Sequence, residues 1–185
     1  MKISISTNFA DVAKALTEMH KDVASQATAR AVNRTMEQAK TAMSREIRSQ
    51  FNMSAAYVRD RLRIKRAYAK AGQFTVSAEL VGGDGKRRSA NVIGFSARKA
   101  SDGVSVQISR GKRKTIKGAF IGNKGRTVFR RVGDSRLPIE PKRTVDVPQM
   151  FTTRKVNAAV IRAIQSKLPA IFEREARYAL SRFGK

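Results

Sequence analysis

Gly82-Gly83-Asp84-Gly85-Lys86 is the segment of this 185-residue chain that comes nearest to a phosphate-binding loop. Such a loop needs a glycine five places before the one preceding the lysine, and Ser or Thr after the lysine, so that amides and a hydroxyl surround the phosphates and their metal. Leu80 and Arg87 occupy those places, and the segment reads as a hairpin turn. His20, the single histidine, has Glu18 and Asp22 nearby, but residues two apart on a helix do not face each other, so no oriented base follows. Glu173 and Glu175 diverge for the same reason, between Arg174 and Arg177, and read as a salt-bridged helix face. Cysteine is absent, which removes disulfides and thiolate ligands and makes a zinc site improbable. No spacing of carboxylates suggests a metal-dependent nuclease. Asn33-Arg34-Thr35 and Asn52-Met53-Ser54 fit the glycosylation pattern, a chance match without a secretory signal. The expectation is a protein that is not an enzyme and holds no cofactor and no metal.

The chemistry that the chain does offer is cationic. Lys plus Arg number 39 against 14 Asp plus Glu, a formal net charge of +25, so the surface repels itself unless an anion is near. Nucleic acid is the first partner to consider, an acidic protein neighbour in an assembly the second, and an anionic membrane surface the third. From Arg59 to Arg136 there are 21 basic and 5 acidic residues. The densest points are Lys86-Arg87-Arg88, then Arg110, Lys112, Arg113, Lys114 and Lys117, and then Lys124, Arg126, Arg130 and Arg131. Long cationic side chains on hairpin tips can follow a phosphate backbone without reading bases. The last nine are the candidate contacts to DNA or another polyanion. The bland alternative, a solvated surface that keeps the chain in solution, is outweighed by the global excess. Tryptophan is absent and aromatics are few, which disfavours a stacking platform for single strands.

Helices and a sheet must position these groups. Phe9, Val12, Leu16, Met19, Val23, Ala27, Val32, Met36, Ala39, Met43, Ile47 and Phe51 mostly follow one another at three or four residues, the stripe of a long helix opened by Asn8 as N-cap. No Gly or Pro occurs before Gly72, and an unbroken helix here would reach about 65 Å. That length predicts a bend near Ala27–Val32 or a projecting part packed on another subunit, with Val12, Leu16, Val23, Met36 and Met43 as candidate packing residues. Ser54 can cap a second helix carrying Tyr57 to Arg63. Phe74, Val76, Ala78 and Leu80, then Val104, Val106 and Ile108, alternate with polar residues as half-buried strands do, and glycines punctuate this middle region. Beyond Pro148 the helical period returns through Phe151, Val156, Val160, Ile164, Leu168, Phe172, Ala176 and Leu180, with Pro169 expected to kink or divide the helix. The fold class expected is α+β: a long N-terminal helix, a central antiparallel sheet with basic hairpin loops, and a C-terminal helix kinked at Pro169. It is expected as one domain over 1–185, with a helical part at 8–67, a sheet part at 68–147 and a C-terminal helical part at 148–185. Met1 to Asn8 hold no apolar run of signal-peptide length, and no stretch reaches the roughly eighteen apolar residues a membrane span requires. No membrane partner is therefore expected.

Several ordered blocks carry a resemblance to a family. Ala31-Val32-Asn33-Arg34, Val58-Arg59-Asp60-Arg61-Leu62 with Arg66-Ala67, Gly118-Ala119-Phe120-Ile121 through Pro138-Ile139, Pro148, and Leu168-Pro169 with Arg174-Glu175 and Ala179-Leu180 together resemble the phage minor tail protein Z family. The match is weakest from Tyr68 to Lys117. The resemblance implies a structural virion protein of a long-tailed phage or prophage, a tail-completion component near the head–tail junction. It implies a ring or other homo-oligomer of this chain, contacts with other tail or neck proteins and with the genomic DNA end, a place in the virion tail, and assembly in the host cytoplasm. No catalytic residues come with it. A free nucleic-acid-binding protein without sequence preference is the competing reading, and it leaves the long apolar stripe unexplained.

Overall fold

The computed structural model describes residues 2–7, 21–69, 76–83 and 89–183. In chain order the elements are β1 (Lys2–Thr7), α1 (Lys21–Gln50), α2 (Ala55–Asp60), β2 (Leu62–Lys65), β3 (Val76–Gly82), β4 (Ala90–Asn91), β5 (Arg98–Ala100), β6 (Gly103–Val106), β7 (Lys114–Lys117), β8 (Ala119–Gly122), β9 (Thr127–Arg131), β10 (Ile139–Pro141), β11 (Arg143–Thr144), α3 (Val147–Phe151) and α4 (Arg154–Phe183). The class is α+β, with a long helix in each terminal third and small antiparallel sheets between. They group into two compact units, one of 1–43, 62–82 and 154–185, the other of 44–61 and 83–153. The units therefore interleave along the chain and do not follow its linear thirds.

The first unit holds α1 up to Met43, all of α4 and a three-stranded sheet in the order β1-β3-β2. On central β3 the side chains of Val76, Ala78 and Leu80 are buried in strict alternation, which fixes the register because a one-residue slip would turn them outward. Leu80 lies opposite Ile3 on one side and Ile64 on the other. The apolar stripe of α1 is buried at Val23, Ala27, Val32, Met36, Ala39 and Met43, and that of α4 at Val156, Val160, Ile164, Phe172 and Ala179. Val23, Ala27 and Ala179 form one apolar cluster. Thr28 and Thr35 are buried polar residues inside α1, and each hydroxyl donates to the carbonyl four residues back, Ala24 and Ala31, at 2.8 Å, so neither is left unsatisfied. Asn33 ties α1 to the segment after β2 twice over: its Nδ2 donates to the Ala67 carbonyl at 2.9 Å and its Oδ1 accepts from the Ala67 amide at 2.8 Å.

The second unit carries the sheets β5-β6-β7, β8-β9-β10 and β4-β11. Its core is Val92, Val104, Val106, Ala119 and Val128, with Ile93, Ala97, Ile108 and Ile116 packed on it. Asn91 holds this core together from within the backbone network. Its side chain bonds both the amide and the carbonyl of Val128, at 3.0 and 3.2 Å, and also accepts from the Ile93 amide at 3.0 Å.

Four details differ from the sequence reading. Lys2–Thr7 is a strand, recruited by antiparallel pairing with β3 where the local pattern signalled nothing. The helix capped by Ser54 stops at Asp60, and Leu62 and Arg63 turn into a strand because β3 offers them ladder partners in Gly82 and Val81. The middle region makes several small sheets in place of one. Pro169 lies inside α4, so of the expected kink or division the division does not occur. The start of the long helix at Asn8, with Val12, Leu16 and His20, lies outside the described residues, as do Phe74 and Lys86-Arg87-Arg88.

Candidate functional site

The nine candidate cations all belong to the second unit, and all are exposed. That unit holds 21 of the 39 Lys and Arg and 7 of the 14 acidic residues. Two hairpins display them. Arg110, Lys112 and Arg113 stand on the connection from β6 to β7, and Lys114 and Lys117 on β7 itself, an edge strand. Lys124 and Arg126 stand on the turn from β8 to β9, and Arg130 and Arg131 on β9. So four of the nine ride on strands and five on turns.

Backbone geometry explains how those turns form. Gly118 has φ +67° between β7 and β8, and Gly125 has φ +81° between β8 and β9, left-handed conformations that a glycine adopts without a Cβ penalty. Asn123 and Lys124 also take positive φ, 51° and 53°, which bends the tip tightly and turns the Lys124 and Arg126 side chains to solvent. Gly103 serves another purpose. A Cβ there would lie 2.1 Å from the Ile116 carbonyl oxygen, so only glycine lets β6 and β7 approach.

The nine are not equivalent. Arg110 donates through Nε to the Arg48 carbonyl at 2.6 Å. Arg113 reaches across the sheet to the Ser105 carbonyl and hydroxyl and the Ser96 carbonyl, at 3.2 to 3.3 Å. Arg131 lies over the Phe120 ring, 5.3 Å from its centroid, and Phe120 stacks on Phe129. These three positive charges are held in place. Lys112, Lys114, Lys117, Lys124, Arg126 and Arg130 have free ends, and among the described residues none of the nine is ion-paired to a carboxylate. A surface of this type binds polyanions through charge and does not read sequence. Lysines on the edge strand β7 also discourage it from pairing with another chain's strand.

The sequence clusters left out Arg98 and Lys99, exposed on β5. Arg98 pairs with Ser105 and Ser105 with Thr115, which puts Arg98 on the same outer face of the sheet as Lys117. The period-two register was the signal that could have found it.

One buried charge lies in the same unit and was also missed. Asp146 is fully buried; it caps α3 in a capping box with Gln149, its Oδ1 accepting from Val147 N at 2.7 Å and from the Tyr57 hydroxyl at 3.2 Å. Its Oδ2 accepts from Arg61 Nε at 3.2 Å, and the Arg61 guanidinium stacks on the Tyr57 ring at 3.9 Å. Burial, and then the Asp146 charge, push the Tyr57 phenol above its usual 10.0. Every oxygen of the carboxylate is occupied by the fold, so the trio reads as a brace for α2 and α3. Among the described residues no three His, Cys, Asp or Glu side chains gather as a metal site, and no helix is long and apolar enough to cross a membrane.

The candidate subunit-packing residues fare differently from the cations. Val23, Met36 and Met43 are at most 3% exposed, sunk in the chain's own core. The stripe on α1 is thus accounted for by intrachain packing.

Comparison with known proteins returns one family. The family model described as prophage minor tail protein Z matches residues 10–185. No curated protein and no solved structure matches the chain.

Proposed function

The chain belongs to the prophage minor tail protein Z family and is a structural protein of the phage tail, and from that premise we propose that it is a tail-completion component acting near the head–tail junction. Several copies assemble there with other tail or neck proteins, and the cationic hairpins of the second unit lie against the genomic DNA end or an acidic channel wall. The observation that carries this reading is the set of exposed cations on β7, β9 and their turns, which meet no carboxylate among the described residues. A ring would repeat that surface around a channel, and weak phosphate contacts would then sum by avidity. Assembly takes place in the host cytoplasm before the protein resides in the virion.

Because Val23, Met36 and Met43 are buried, subunit contacts run through exposed apolar side chains, such as Val132 and Leu137 between β9 and β10. Light scattering at two salt concentrations, with and without a short duplex of arbitrary sequence, tests the proposal. A discrete oligomer without DNA, with weak salt-sensitive duplex binding, is expected. A persistent monomer that binds duplex tightly at moderate salt, and that no tail protein assembles, would return the protein to the class of free DNA binders.

A further inference from the structure

The first unit contains a recess of about 560 Å³ whose lining includes none of the nine candidate cations. Its walls are built from segments far apart in the chain. Arg30, Asn33, Arg34 and Glu37 recur at three and four residues on α1 and so share one helix face. Arg174, Glu175 and Tyr178 come from α4, and Arg66 from the segment following β2.

Charge accounting within the recess leaves a remainder. Arg34 pairs with Glu175 at 2.8 Å, and the carboxylate is only 5% exposed. Arg66 pairs with Glu37 at 2.7 Å. Asn33 is spent on Ala67, donating and accepting. Arg30 and Arg174 have no carboxylate among the described residues; Arg30 rests over the Tyr178 ring, 5.8 Å from its centroid. Two guanidiniums therefore face this space with no carboxylate among the described residues to neutralise them.

We propose that this recess is a docking site for an acidic peptide segment of another protein, whose carboxylates pair with Arg30 and Arg174. The shape and chemistry favour that occupant over DNA. A planar guanidinium fork suits a carboxylate, and the recess already pairs two of its guanidiniums that way, Arg34 with Glu175 and Arg66 with Glu37. A concavity of side-chain size suits extended side chains, whereas a duplex presents its phosphates on a convex rod. Tyr178, 48% exposed, gives the methylene stem of a glutamate an apolar wall. A second copy of this chain is a poor occupant of this recess, because its 14 acidic residues never stand side by side in the sequence and so offer no acidic segment. The inference is independent of any contact between the second unit and DNA.

The test uses the full chain and a fluorescently labelled hexaglutamate peptide, with affinity read by anisotropy. Two double variants remove the same number of charges: Arg30→Ala with Arg174→Ala in the recess, and Arg130→Ala with Arg131→Ala on β9. All four residues are exposed, so the fold should survive, and far-ultraviolet circular dichroism checks it. Weakening of at least about tenfold in the recess variant, against less than about twofold in the β9 variant, is expected for a localised site. Arg174→Glu alone should weaken binding further than Arg174→Ala alone. Equal loss in the two double variants would reduce the peptide's binding to net charge and overturn the proposal. So would a duplex DNA whose binding is lost in the recess variant alone, since the site would then be one for phosphates.

Discussion

Removing Lys112, Lys117, Lys124 and Arg126 together, each to Ala, should change how steeply DNA binding depends on salt. All four are exposed and free at their ends, so the substitutions leave the sheets intact. Of the nine candidate cations, three are tethered by carbonyls or a ring and six are free. If each free side chain meets one phosphate, log K should fall against log salt with a slope of about −5, and affinity should drop about a thousandfold between roughly 50 and 200 mM salt. The quadruple variant keeps Lys114 and Arg130, so its slope should be about −2 and its drop over the same range only about tenfold. Anisotropy of a labelled duplex, titrated at four salt concentrations, measures both. Substituting Arg154, Lys155, Arg162 and Lys167 on α4, also four exposed cations, controls for net charge and should alter the slope by less than about one. An unchanged slope in the quadruple variant, or an equal fall in the α4 control, would refute the placement of phosphate contact on these hairpins.

Asp146→Ala removes a helix cap and strands the partly buried Arg61, so chemical denaturation should show a loss of about 3–5 kcal/mol; a loss below about 1 would mean that the brace carries little. Because the folded state raises the Tyr57 phenol above 10.0, the unfolded chain ionises first, and the stabilisation present below pH 10 is lost as pH rises through the folded value. Denaturation midpoints should therefore decline in that alkaline range, and Tyr57→Phe should flatten the decline. Gly103→Ala would drive a Cβ into the Ile116 carbonyl, and a stability loss of about 3 kcal/mol or more, with faster amide exchange in β6 and β7, is expected. Asn33→Ala leaves both polar groups of Ala67 without their partner and should cost about 2 kcal/mol by the same denaturation assay.

What the chain settles by itself is local and periodic. The steps, mostly of three and four, in 23–47 and 156–172 dictated two amphipathic helices, because burying one stripe is the only way such a segment leaves water. Alternation marked Val76–Leu80 and Val104–Val106 as strands, and Gly118 and Gly125 marked the turns, since both occupy a backbone region closed to most side chains. The excess of positive charge and its crowding on hairpins were equally plain, as they need only counting.

Tertiary structure decided what depends on partners distant in sequence. Lys2–Thr7 and Leu62–Lys65 become strands because β3 lies between them, a fact no window of neighbouring residues contains. The α1 stripe was expected to pack subunits, yet Val23, Met36 and Met43 are covered by the chain itself, and periodicity cannot tell which surface will cover a stripe. Asp146 looked like one charge among many until Tyr57 and Arg61, 89 and 85 residues away, closed on it. The arginine recess arises in the same way. Arg30 and Arg174 lie on helices at opposite ends of the chain, and only folding places their unmatched charges around one space.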